Sequence, residues 1–168
     1  HPDAIISLCC AHNGKELAQE IFGDRFVWVP YVRPGFTLSK MIAEGVLANP
    51  QAELVLMEKH GLVTWGDTSE ACYAQTIRII SEAEAFIEAR VNNDKLFGGR
   101  KFAPLASEVR RSIAAEVMPA VRGAVSDVKK MILSFDDQDD VLDFVGGSDA
   151  PKLSQVGAAC PDHLVHTK

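Results

Sequence analysis

The sequence predicts an α/β domain with its helices and strands in layers. Short apolar runs, Phe26–Val29 and the two that flank His60, have the length and the Val and Leu content of buried strands. Segments with apolar residues at three- and four-residue spacing separate and follow them. The connections between these segments are short, as in layered α/β domains, although strand order cannot be read from them.

Taken in order, Pro2 and Asp3 suit the first turn of a short helix through Ala4-Ile5-Ile6 to Cys10. Asn13-Gly14 interrupts the chain, and Lys15 to Phe22 predicts a second helix with Leu17, Ala18 and Ile21 on one face. Phe26 to Val29 is a strand closed by Pro30, and Tyr31 to Gly35 is a loop. Helical spacing resumes from Phe36 to Ala48 and stops at Asn49-Pro50. Glu53 to Gly66 then reads as strand, His-Gly step and strand. Asp67 and Glu70 stand at capping-box spacing before a helix whose predicted inner face is Tyr73, Ile77, Ile80, Ala83, Ile87 and Val91.

After Asn92 the character of the chain changes. Gly98 to Lys101 predicts a surface loop and a boundary, dividing the chain into residues 1–100 and an appended α/β segment, 101–168. In the second part, Pro104 to Val121 predicts a helix with Val109, Ile113, Val117 and Val121 in register, and Lys130 to Phe135 a strand. An acidic turn, Asp136 to Asp140, leads into a short helix from Val141 to Val145. Gly146 to Ser148 and Pro151 form a connection to the tail.

The 168 residues suffice for a compact domain with a core, and 47% hydrophobic against 24% charged residues is ordinary for a soluble globular protein. A net charge of -6 without a basic arm argues against nucleic-acid binding, which needs a basic surface. No apolar run approaches the ~20 residues of a membrane span, and these residues carry no signal-peptide pattern, so a cytoplasmic location is expected. Cys9, Cys10, Cys72 and Cys160 form no C-x-x-C pair; adjacent Cys9 and Cys10 are expected as small buried residues. The chain opens on His1-Pro2-Asp3 without an initiator Met and reads as an internal fragment of something longer.

Five histidines, His1, His12, His60, His163 and His166, are the first candidates for chemistry, and none has H-E-x-x-H spacing. A Gly-rich phosphate loop and a G-x-S-x-G elbow are both missing, which excludes a dinucleotide site and a serine hydrolase site in these residues. Nothing in the sequence would lower the pKa of Lys59 towards Schiff-base chemistry, so a solvated lysine is expected. The Asp136–Asp140 run lacks the Gly and terminal Glu of an EF-hand loop and is expected as a solvated turn. Tyr31 and Trp65 are expected as packing residues and Arg33 as solvated or ion-paired, with phosphate contact as its alternative. Alone, His60 fits a hydrogen-bonded core histidine better than a ligand.

Three segments change that weighting. His1-Pro2-Asp3-Ala4-Ile5, Tyr31-Val32-Arg33-Pro34-Gly35 and Lys59-His60-Gly61-Leu62-Val63-Thr64-Trp65-Gly66 stand in the order found in class II aldolase/adducin proteins, which the chain resembles over roughly residues 1–92. The tail, Leu153 to His163, is similar to the aldolase half of bifunctional rhamnulose-1-phosphate aldolase/alcohol dehydrogenases, where a short-chain dehydrogenase domain follows. The resemblance implies the C-terminal part of a layered α/β/α aldolase-like domain. His1 would be the second member of a His-x-His zinc pair and His60 the third zinc ligand. The first ligand and a catalytic Glu would lie upstream of His1.

The implied reaction is retro-aldol cleavage of a ketose 1-phosphate, such as rhamnulose 1-phosphate, to dihydroxyacetone phosphate and an aldehyde. It leaves negative charge on an enediolate, which a Lewis acid stabilises and which neutral imidazole ligands do not offset. A sugar phosphate is the implied partner and a homo-oligomer the implied assembly. The fragment alone is expected to be incomplete and inactive. Two alternatives stand beside this reading: a non-catalytic adducin-like assembly module, and part of a protein named for a downstream dehydrogenase domain. His163 and His166 are expected in the tail or at an interface.

Overall fold

The computed structural model describes residues 1–91 and 93–157, without the side chains of Asn93 and Asp94. The tail bearing Cys160, His163 and His166 lies outside the described residues. The chain forms two compact units, the first built on His1–Val91 and the second ending at Val156.

The first unit contains α1 (Asp3–Cys10), α2 (Gly14–Phe22), β1 (Phe26–Val29), α3 (Phe36–Ala48), β2 (Leu54–Met57), β3 (Gly61–Thr64) and α4 (Ser69–Glu88). Its sheet has the order β1-β2-β3. β1 and β2 are parallel, with Phe26 opposite Leu54 and Val29 opposite Met57. Parallel neighbours need a crossover, and α3 supplies it. β2 and β3 are antiparallel, paired from Leu54–Thr64 to Met57–Gly61.

All four residues of β2 are buried because both faces of the central strand are covered. Successive side chains point to opposite faces. Leu54 and Leu56 therefore join Ile5, Leu8, Phe22, Ile79 and Ala83 from α1, α2 and α4. Val55 and Met57 meet Leu38, Met41 and Ile42 of α3 on the other face. A Cβ on Gly45 of α3 would lie 2.5 Å from Val27 Cγ1, so a glycine is what lets this helix approach β1 so closely.

The mixed α/β character expected from the sequence is present, and so is each expected element of this unit. Two details of α4 differ. Its N-cap is Thr68, whose Oγ1 accepts from Ala71 N–H at 3.1 Å. That shift of one residue puts Glu70 at the second helical position, out of capping-box register with Asp67. The buried face also differs. Ile79 and Ala83 are fully buried with Ile80 and Ile87 alongside, whereas Tyr73 is 69% and Ile77 44% exposed. Polar contacts set this rotation: Thr76 Oγ1 lies 2.6 Å from Thr64 Oγ1, and Cys72 Sγ donates to Thr64 O at 3.8 Å.

At the end of the sheet where β1 and β2 begin, Arg25 and Arg78 alternate with Glu53 and Glu82 in a closed ring of four ion pairs, 2.6–2.9 Å long. Hydrogen bonds from Arg78 and then Arg25 hold the Glu53 carboxyl below its ordinary pKa.

The second unit holds a 3-10 segment (Asn93–Gly98), α5 (Ser107–Val125), α6 (Asp139–Gly146) and α7 (Ala150–Leu153). α5 starts three residues later than Pro104 and runs past Pro119 to Val125. Its valine and isoleucine stripe is in register but half-exposed. The strand expected at Lys130–Phe135 is absent: the segment has no ladder partner among the described residues, and Ile132 is 93% exposed. α6 begins at Asp139 because two carboxylates suit its first turn, and α7 carries Pro151 at its start where a connection was expected. Asp137, expected in a solvated turn, is instead ion-paired to Arg110 at 2.8 Å, and both side chains are mostly buried. No described helix is long and apolar enough to cross a membrane.

Candidate metal centre

β1 and β2 run parallel and end together at Val29 and Met57. In open α/β sheets, ligands gather outside the carboxyl ends of such strands. Here that end carries Tyr31 after β1 and the turn Glu58-Lys59-His60 after β2. The turn links β2 to β3, and His60 N–H closes it on Met57 O at 3.0 Å. His1, two residues before α1, reaches the same place. The ring centroids of His1 and His60 are 5.3 Å apart, with planes inclined at 30°.

This spacing can be compared with the needs of a metal ion. Two imidazole nitrogens, each about 2.0–2.1 Å from one tetrahedral ion, put the ring centroids about 5.2 Å apart. The observed ring separation matches that spacing. A further ligand would have to come from elsewhere: among the described residues, no group of three or more His, Cys, Asp or Glu side chains converges.

Gly61 makes the close approach possible. Its φ is 149°, which side-chain-bearing residues rarely adopt, and a Cβ there would stand 3.1 Å from His1 Cδ2. Below the turn, Cys9 is fully buried and its Sγ donates to Gly61 O at 3.7 Å. Burial is the main cause that pushes its thiol up to about 12, so it remains protonated and packs rather than ligates. Its neighbour Cys10, expected to be buried, is exposed because it faces away from the core of α1. Tyr31 and Trp65, expected as packing residues, are 56% and 38% exposed. Arg33 is exposed in the 30–35 loop, and His12 is exposed beyond α1.

Sequence reasoning overlooked Glu58. Its backbone N–H donates to Val29 O at 2.9 Å, and its Oε2 accepts from Tyr31 N–H at 3.1 Å. The turn does not rest on Gly61 alone, because Lys59 has a φ of 56°. A lysine in that region is uncommon, and only the tightness of a three-residue link hints at it.

The first unit thus places two imidazoles together beyond the ends of its parallel strands. Family comparison gives that unit an identity. Residues 1–87 match the class II aldolase and adducin N-terminal domain, and residues 112–168 match the second domain of class II aldolase. The chain belongs to the class II aldolase/adducin family. A relative from Bacillus subtilis (strain 168), "Uncharacterized oxidoreductase YuxG", is 69% identical over all 168 residues, and the chain spans 24% of its length. Among solved structures, the N-terminal class II aldolase domain of a conserved protein from Thermoplasma acidophilum is 37% identical, with a TM-score of 0.46 over 52% of this chain and 39% of that one. An aldolase II superfamily protein from Pseudomonas syringae is 16% identical, with a TM-score of 0.41 over 77% of this chain and 55% of that one.

Proposed function

We propose that the first unit supplies two ligands, His1 and His60, of a zinc-dependent class II aldolase that cleaves a ketose 1-phosphate such as rhamnulose 1-phosphate to dihydroxyacetone phosphate and an aldehyde. The observation that carries this reading is the 5.3 Å separation of the two imidazoles beyond the ends of parallel strands. The hydrophobic cover on both faces of the sheet supports the layered α/β/α arrangement.

The residues present divide the work in a definite way. His1 and His60 hold the cation as neutral ligands, leaving its charge available. Bound there, zinc supplies Lewis-acid stabilisation of the negative charge that develops as the carbon–carbon bond breaks. Glu58 accepts from Tyr31 N–H through one carboxylate oxygen, and the proton-moving carboxylate is taken, as the family resemblance implies, to lie upstream of His1. The remaining protein ligand is assigned there too, in keeping with a relative about four times as long.

The test is release of dihydroxyacetone phosphate from rhamnulose 1-phosphate by the chain extended upstream by about a hundred residues, before and after chelation, because metal binding and site assembly are coupled. Zinc-dependent release is expected. Zinc-loaded protein that releases none from any ketose 1-phosphate contradicts the reading. A second reading takes its support from the oxidoreductase name of the Bacillus relative: the longer protein has dehydrogenase activity in residues beyond these, with this unit as a partner module. Reduction of a nicotinamide cofactor by the longer protein, unaffected by His60→Ala, would favour it.

A further inference from the structure

We infer that Glu58 and Lys59 are positioning residues, which lock the turn carrying His60 onto α1, β1 and Tyr31 and so fix the aim of its imidazole towards His1. The β2–β3 ladder closes at the Met57–Gly61 pair, which leaves Glu58, Lys59 and His60 outside it. All three backbone N–H groups of the turn are nonetheless engaged, and each goes to a different element. Glu58 donates to Val29 O of β1 at 2.9 Å, Lys59 to Cys9 O of α1 at 3.0 Å and His60 to Met57 O of β2 at 3.0 Å.

The side chains add a second layer of restraint. Glu58 Oε2 accepts from Tyr31 N–H at 3.1 Å. Lys59 Nζ stands 5.8 Å from the centroid of the Tyr31 ring, within the range of a cation–π contact. Two consecutive side chains thus grip Tyr31, two residues past the end of β1, and His60 is the next residue in the chain. Lys59 meanwhile holds a φ of 56°, a left-handed conformation that persists where surrounding contacts determine it and that clusters at functional sites. Rotation at Lys59 would swing His60 directly. Ligands need to be held within about half an ångström of their working position.

This inference rests on the metal reading only for its second readout. The first is the nuclear Overhauser contact between the His1 and His60 rings in the metal-free full chain. The second is Co²⁺ affinity by titration of the chain extended upstream, because these 168 residues supply only two of the proposed ligands. The variants come in pairs. Glu58→Ala removes the acceptor and Glu58→Gln keeps one. Lys59→Val puts a β-branched residue into the left-handed region, whereas Lys59→Asn is tolerated there.

Glu58→Ala and Lys59→Val are expected to lose the ring contact and to bind Co²⁺ about tenfold or more weakly, with the Gln and Asn variants within about twofold of wild type, the scale of effect found for groups that orient metal ligands. Should Lys59→Val fail to fold, the Glu58 pair decides. The inference is overturned if Glu58→Ala keeps both the ring contact and the wild-type affinity, or if Glu58→Gln loses as much as Glu58→Ala. A wild-type protein with the ring contact but no Co²⁺ uptake contradicts the zinc reading alone, and the ring contact then decides the role of Glu58 and Lys59.

Discussion

His60→Ala in the chain extended upstream is expected to lower zinc affinity by more than about a hundredfold, beyond the 10–100-fold that loss of an orienting partner costs, because under the proposed zinc reading it deletes a ligand outright. Among the described residues, His60 and His1 are the imidazoles at this end of the sheet, with ring centroids 5.3 Å apart. The fold should tolerate the change, since His60 is half-buried in a turn and belongs to neither hydrophobic cluster. Competition with a chromophoric chelator measures the affinity, and far-UV circular dichroism checks the fold. Unchanged affinity in the variant would remove His60 from the site.

Leu56→Ala is expected to have the largest effect on stability. Leu56 lies in the central strand with none of its surface exposed, among Ile5, Leu8, Phe22 and Ile79. Truncation leaves a cavity that a strand paired on both sides cannot collapse to fill. The expected cost is about 3 kcal/mol, within the range for buried leucines. Because the chain has two units, a global melt would mix their responses, so hydrogen exchange at the β2 amides is the better measure. Exchange there should accelerate by about two orders of magnitude. Ile132→Ala should change little, since that side chain is 93% exposed.

The first unit was legible because local and global signals agree. Phe26–Val29 and Leu54–Met57 are apolar runs of strand length that the fold buries, and the glycine and proline punctuation falls between elements. The sequence was misleading where polar contacts decide orientation. Spacing of apolar residues alone put Tyr73 and Ile77 on the inner face of α4, whereas the Thr64–Thr76 hydroxyl pair turns that helix. In the second unit, Lys130–Phe135 has strand-forming residues but no ladder partner among the described residues, and a strand is a property of two segments rather than one.

The site was partly legible. His60 beside Gly61 stands out as a residue type next to a turn signal, and His1 stands out only through the family's motif order. Glu58 gave no sign, because its role depends on the Tyr31 N–H, twenty-seven residues away in sequence and brought within reach by parallel pairing of β1 and β2. The left-handed backbone of Lys59 was hidden for a similar reason: the carbonyl of Cys9 in α1 holds it.

The central claim is that His1 and His60 share one zinc ion. An anomalous difference map, recorded at the zinc absorption edge from crystals of the zinc-loaded protein, tests it most directly. The account predicts a single peak about 2.0–2.1 Å from a ring nitrogen of each histidine. A peak held by neither histidine, or by only one of them, would contradict it.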